Sequence, residues 1–169
     1  MIYVCPLNKV DETISLVGAR RIVSLLAHGT DMQRPSVIAE GNHLLINMHD
    51  IAEAQDGMTL PGHEHVERII AFGKGWDRGQ PLVVNCYAGI SRSTATAYLL
   101  AAALSPSRDE VELAQALRKL SPTATPNPRI IAIADELLGR EGRMTAAIAA
   151  IGRGAEAFEG VPFGLRIDG

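Results

Sequence analysis

The stretch that constrains this chain most runs from Leu82 to Leu104. Leu82, Val83 and Val84 form a short, β-branched apolar run, the pattern of a buried strand. The chain then passes directly into Cys86-Tyr87-Ala88-Gly89-Ile90-Ser91-Arg92, and Ser93 to Leu104 reads as a buried helix. A strand that turns through a tight loop into a helix is a building unit of α/β folds. Such a turn also gathers backbone N–H groups, the unpaired amides of the helix start and the positive end of its dipole around one point. Phosphate is the anion that suits it, and Gly89 lets the loop turn tightly.

Two side chains give this loop chemistry. Cys86 stands where amides and a helix start favour thiolate over thiol, so it is the candidate nucleophile. Arg92, six positions on, can donate two parallel hydrogen bonds to phosphate oxygens, where a lysine would offer only a point charge. A cysteine and an arginine at this spacing are weak evidence alone; the strand before them, Gly89 between them, and Ser91 and Ser93 flanking the arginine strengthen it. The other cysteine, Cys5, lies in the apolar run from Ile2 to Pro6 and reads as a small core residue. Two cysteines in 169 residues make no disulfide framework.

The rest of the chain supplies a sheet early and helices late. Ile2 to Cys5, Ile22 to Leu26 and Leu44 to Met48 read as strands, with a short helix over Asp11 to Val17. Val66, Ile69 and Ile70 mark a helix from His63 to about Gly73. Ser107 and Glu110 stand at capping-box spacing before a helix over Val111 to Leu120, and Asn127-Pro128 starts another over Ile130 to Leu138. Met144 to Ile151 is a last candidate helix. The expected architecture is an α/β domain over residues 1–152, a central sheet flanked by helices with the phosphate-binding loop between a strand and a helix. Residues 153–169, rich in glycine, are expected to be a C-terminal tail that packs loosely or not at all.

Composition narrows the partners. Sixteen basic against 19 acidic residues give a net charge of −3, which does not furnish the basic surface that general nucleic-acid binding requires. The first residues lack the apolar core of a signal peptide and no run approaches a membrane span, so a soluble, cytoplasmic protein is expected, with no membrane partner. His63 and His65 are two apart on a helix and do not share a face, which argues against a metal site; no metal or cofactor is expected. His28, His43 and His49 read as surface or hydrogen-bonded residues. The sequence leaves oligomeric state open.

At Cys86, Gly89, Arg92 and Ser93 the sequence resembles the protein-tyrosine and dual-specificity phosphatase superfamily, whose signature is His-Cys-x5-Arg followed by Ser or Thr. Pro126-Asn127 before a helix resembles a later motif of that group. The resemblance implies a phosphatase-like fold over roughly Tyr3 to Leu138. It also implies a two-step reaction on a phosphorylated protein or peptide: Cys86 attacks phosphorus and water hydrolyses the phosphocysteine. Tyr87, Ala88, Gly89, Ile90, Ser91 and Arg92 would bind the phosphate, and Ser93 would bond to the sulfur as it leaves. An aspartate upstream would be the general acid, with Asp50 preferred over Asp56 because it stands just past a strand. One departure is Asn85 where the family commonly has histidine; asparagine can hold hydrogen bonds but cannot become cationic. The uncharged loop positions make a phosphoinositide the less favoured substrate. Two other readings compete: a phosphate-binding module with little turnover, and a sulfurtransferase of the rhodanese type, which also places a cysteine in an anion-binding loop.

Overall fold

In the computed structural model, which describes residues 1–168, the apolar run at Leu82 becomes the central strand of a five-stranded sheet. This strand, β4 (Leu82–Cys86), is buried along its whole length because it has neighbours on both edges and helices over both faces. On one edge it pairs in parallel with β1 (Ile2–Pro6), on the other with β2 (Arg21–Leu26), which in turn pairs in parallel with β3 (His43–Asn47). The register sets Pro6 and Leu25 on either side of Cys86. The carboxyl end of β4 thus opens between two flanking strand ends, the place where ligands bind in open α/β sheets.

Helices cover the sheet unequally. Helix α1 (Val10–Val17) lies on one face, where Val10 and Ile14 pack with Cys5, Ile22, Ile38 and Val83. The other face carries α2 (His63–Lys74), α3 (Arg92–Leu104), α4 (Glu110–Leu120), α5 (Pro128–Leu137) and α6 (Arg143–Ile151). Of these, α3 is the innermost: it is buried from Arg92 through Ala102, which explains why its sequence shows no polar stripe. Small residues let neighbours approach it closely. A Cβ on Gly73 of α2 would stand 2.4 Å from Leu100 Cδ2.

Three features differ from the sequence expectation. The cap of α4 is Asp109, whose Oδ1 accepts the Val111 and Glu112 amides at 2.9 Å each, and not Ser107. Glu110 is unavailable for a capping box because its carboxylate is buried against Arg140 at 2.9 Å. A fifth strand, β5 (Phe163–Leu165), pairs antiparallel with β1, and Phe163, Leu165 and Ile167 are buried, so this part of the expected loose tail is integral to the sheet. Residues 153–161 also run over the body of the protein through specific hydrogen bonds. No helix among the described residues is long and apolar enough to cross a membrane.

Candidate active site

The loop after β4 is held open from outside. Four of its carbonyls accept backbone N–H groups from three separate segments: Tyr87 from Leu7 at 3.1 Å, Ala88 from Gly160 at 2.8 Å, and Ile90 and Ser91 from Thr125 at 3.0 Å and Asn127 at 3.3 Å. In a planar trans peptide the following N–H points opposite to the carbonyl. The amides of Ala88, Gly89, Ser91 and Arg92 are therefore turned away from these segments, and none has a partner among the described residues. Successive unpaired amides beside the first turn of α3 make an anion-binding concavity.

Gly89 makes that path possible. Its φ is +70°, a region other residues enter at a cost, and a Cβ there would stand 2.6 Å from the Pro6 nitrogen and 2.9 Å from the Cys5 carbonyl carbon. The loop therefore presses backbone to backbone on the end of β1.

The structure brings most of the expected site residues together. Cys86 is buried at the end of β4, and Ser93 Oγ lies 3.1 Å from its Sγ. Arg92 is also buried; its Nη1 donates to the Met48 carbonyl at 2.8 Å, while its Nε, likewise buried, has no partner among the described residues. A guanidinium anchored at one nitrogen with a donor to spare suits an anion in the loop. Asp50 lies just past β3, and its Oδ1 accepts from Ser91 Oγ at 2.7 Å and from Asn127 Nδ2 at 2.9 Å. The loop carrying Asp50 is closed by a reciprocal pair, His49 N–H to the Thr59 carbonyl at 2.8 Å and Thr59 N–H to His49 Nδ1 at 2.9 Å. Asp56 is exposed in a turn beside Gly57, with no hydrogen bond to the site. Tyr87 is two-thirds exposed at the outer rim.

Beneath the loop lies a polar chain. Asn85 is fully buried on the α1 side of the sheet, Ser24 Oγ donates to its Oδ1 at 2.7 Å, and His43 Nε2 lies 3.0 Å from the same hydroxyl. The position before the cysteine is thus tied across β2 to a histidine on β3. Cys5 shares that face, and burial pushes its thiol up to about 12, as suits a core residue. His63 and His65 do separate local work: the first pairs with Glu136 at 3.0 Å, the second accepts the Gly62 amide at 3.1 Å.

Sequence reasoning missed three contributors. Asn127 is recognisable as a helix cap, but its bond to Asp50 is a contact across 77 positions. Thr125 and Gly160 act through backbone groups, which leave no side-chain signature.

No protein-family model matches this sequence, and no curated protein does. Solved structures do. The chain superposes on DUSP15 with a TM-score of 0.63 at 18% identity, covering 89% of each chain. Human DUSP28 gives 0.62 at 19% identity over 83% of this chain and 89% of that one. A mouse putative dual specificity phosphatase, complexed with zinc tungstate, gives 0.62 at 17% over 86% of each. The fold is that of the dual-specificity and protein-tyrosine phosphatases. Within that phosphatase fold, the candidate site occupies the loop that joins the central strand to the innermost helix.

Proposed function

We propose that this chain is a cysteine-dependent phosphatase that hydrolyses phosphotyrosine, and also phosphoserine or phosphothreonine, in a protein or peptide. The observation that carries the reading is the loop itself, where unpaired amides and the unmatched Nε of Arg92 surround the exit of β4 at Cys86. Phosphate oxygens would take those donors, which the backbone bonds of the loop already hold in place.

In the first step Cys86 Sγ attacks phosphorus, the bond from phosphorus to the ester oxygen breaks, and Asp50 gives that oxygen its proton. Asp50 is equipped for this: Oδ1 takes both fixed hydrogen bonds, from Ser91 and Asn127, leaving Oδ2 for the substrate. In the second step water attacks the phosphocysteine, Asp50 takes the water's proton, and the sulfur–phosphorus bond breaks. Ser93 Oγ, 3.1 Å away, donates to the departing sulfur. Arg92 follows the phosphoryl oxygens through both steps.

The test is hydrolysis of para-nitrophenyl phosphate by wild type and Cys86→Ser, with chelator and reductant present. Activity that survives chelation and is lost in the variant is expected. An inactive wild type with an intact reduced thiol would instead leave a phosphate-binding module or a sulfurtransferase.

A further inference from the structure

Residues 153–161 leave the last helix and cross the outside of the phosphate loop before entering β5. Their path is fixed at both ends. Arg118 donates to the carbonyls of Ile151 and Gly152, the Gly154 amide donates to Thr125 Oγ1 at 3.1 Å, and the Ala155 amide to the Pro122 carbonyl at 2.9 Å. At the far end the Gly160 amide reaches the Ala88 carbonyl at 2.8 Å, and Asn8 Nδ2 holds Glu159 at 2.8 Å. Both contact points need glycine for lack of room. A Cβ on Gly154 would lie 2.6 Å from the Ala124 carbonyl oxygen, and one on Gly160 2.7 Å from that of Gly89.

Between these two glycines the chain arches off the surface and carries Phe158 wholly into solvent. A phenyl ring that packs on nothing contributes nothing to folding, yet it sits on a segment pinned on either side. Beside it lies a groove of about 600 Å³. Its lining joins Asp50, Ile90 and Ser91, which belong to the candidate active site, with Ala155, Ala157 and Phe158. Whatever carries a phosphate into the loop therefore has this groove as its immediate neighbour. Arg153 and Glu156, also in its lining, lie 3.8 Å apart and offset each other, so what residues 155–158 offer to a neighbour of the phosphorylated residue is chiefly the apolar surface of Ala155, Ala157 and Phe158.

We propose that residues 153–161 are a substrate-recognition strap, and that Phe158 packs against an apolar side chain adjacent to the phosphorylated residue of a peptide. This rests on the phosphatase reading above and adds the sequence preference of the substrate. A small aryl phosphate fills only the loop; a phosphopeptide also fills the groove.

The experiment compares wild type and Phe158→Ala on para-nitrophenyl phosphate and on two phosphotyrosine peptides that carry either leucine or glycine next to the phosphotyrosine. Wild type is expected to prefer the leucine peptide, and Phe158→Ala to lose about tenfold in kcat/KM on that peptide alone, the scale of an aromatic anchor at an interface. Its para-nitrophenyl phosphate kinetics should stay within about twofold of wild type, because Phe158 makes no packing contact in the fold. Equal peptide kinetics in the two proteins, or an equal loss on all three substrates, would overturn the strap proposal while leaving the phosphatase reading in place. If wild type turns over nothing, the phosphatase reading falls, and calorimetric titration of the leucine peptide decides the strap: weaker binding to Phe158→Ala supports it, and unchanged or absent binding overturns it. A dimer in wild type that Phe158→Ala dissociates, seen by sedimentation, would also overturn it by making the strap a self-association surface.

Discussion

Asn127 joins two structural tasks in one side chain. Its Oδ1 accepts the Arg129 and Ile130 amides at 3.1 Å each and so caps α5, while its Nδ2 holds Asp50. Serine can perform the first task but not the second. Asn127→Ser is therefore expected to keep a melting temperature close to wild type and lose turnover, most of all on esters with poor leaving groups, which would need Asp50 as the proposed general acid. Asn127→Ala should lose turnover to the same degree and also about 1 kcal/mol of stability, the typical worth of a cap. Parallel melting curves and kinetics on two leaving groups check both. At this scale the sequence was most readable where chemistry demands particular atoms: Ser93 Oγ stands 3.1 Å from Cys86 Sγ, and Arg92 opens the helix that follows the loop. Asp50 was separable from Asp56 only by its place after a strand, since both are loop carboxylates.

The polar chain beneath the loop after β4 shows how neighbouring strands fix a buried residue next to the candidate nucleophile. Asn85, Ser24 and His43 stand on β4, β2 and β3, and their contacts depend on register, which sequence periodicity does not fix. Burial first, and the charge of Arg34 second, hold the His43 imidazolium below its usual value of 6.5. The unfolded chain therefore takes up this proton before the folded one does. The stability linked to His43 is complete above the unfolded value and is lost as pH falls through it toward the folded value. His43→Gln should make the urea midpoint fall less steeply than in wild type as pH is lowered through 6.5. His65, shifted in the same direction chiefly by burial, keeps some slope in the variant. Elements whose period is long and regular, such as α2 and α4, were legible to within a few residues. The cap of α4 was not, because Glu110 is drawn to Arg140 by tertiary packing.

At the scale of the molecule, the chain end completes the sheet beside β1 and in doing so carries the strap over the loop. β5 is three residues, Phe-Gly-Leu, in a glycine-rich stretch, too short for alternation to signal a strand. Only its partner defines it: Ile2 pairs with Leu165, and the Tyr3 ring takes the space that a Cβ on Gly164 would need. Leu165 is fully buried, so Leu165→Ala should cost about 2–5 kcal/mol in urea unfolding. A cost below about 0.5 kcal/mol would mean that β5 contributes little to the fold. Early strands, late helices and one strand running through a loop into a helix made the α/β class legible, whereas the strand order β3-β2-β4-β1-β5 arises from long-range pairing.

The nucleophile is best tested by trapping it. Rapid acid quench of wild type during turnover of a phosphotyrosine peptide, followed by mass spectrometry of the peptide containing residues 82–92, should show one added phosphoryl group on Cys86, absent in Cys86→Ser. Turnover that leaves the thiol unmodified at every quench time, or a phosphoryl group found on another residue, would contradict a cysteine mechanism.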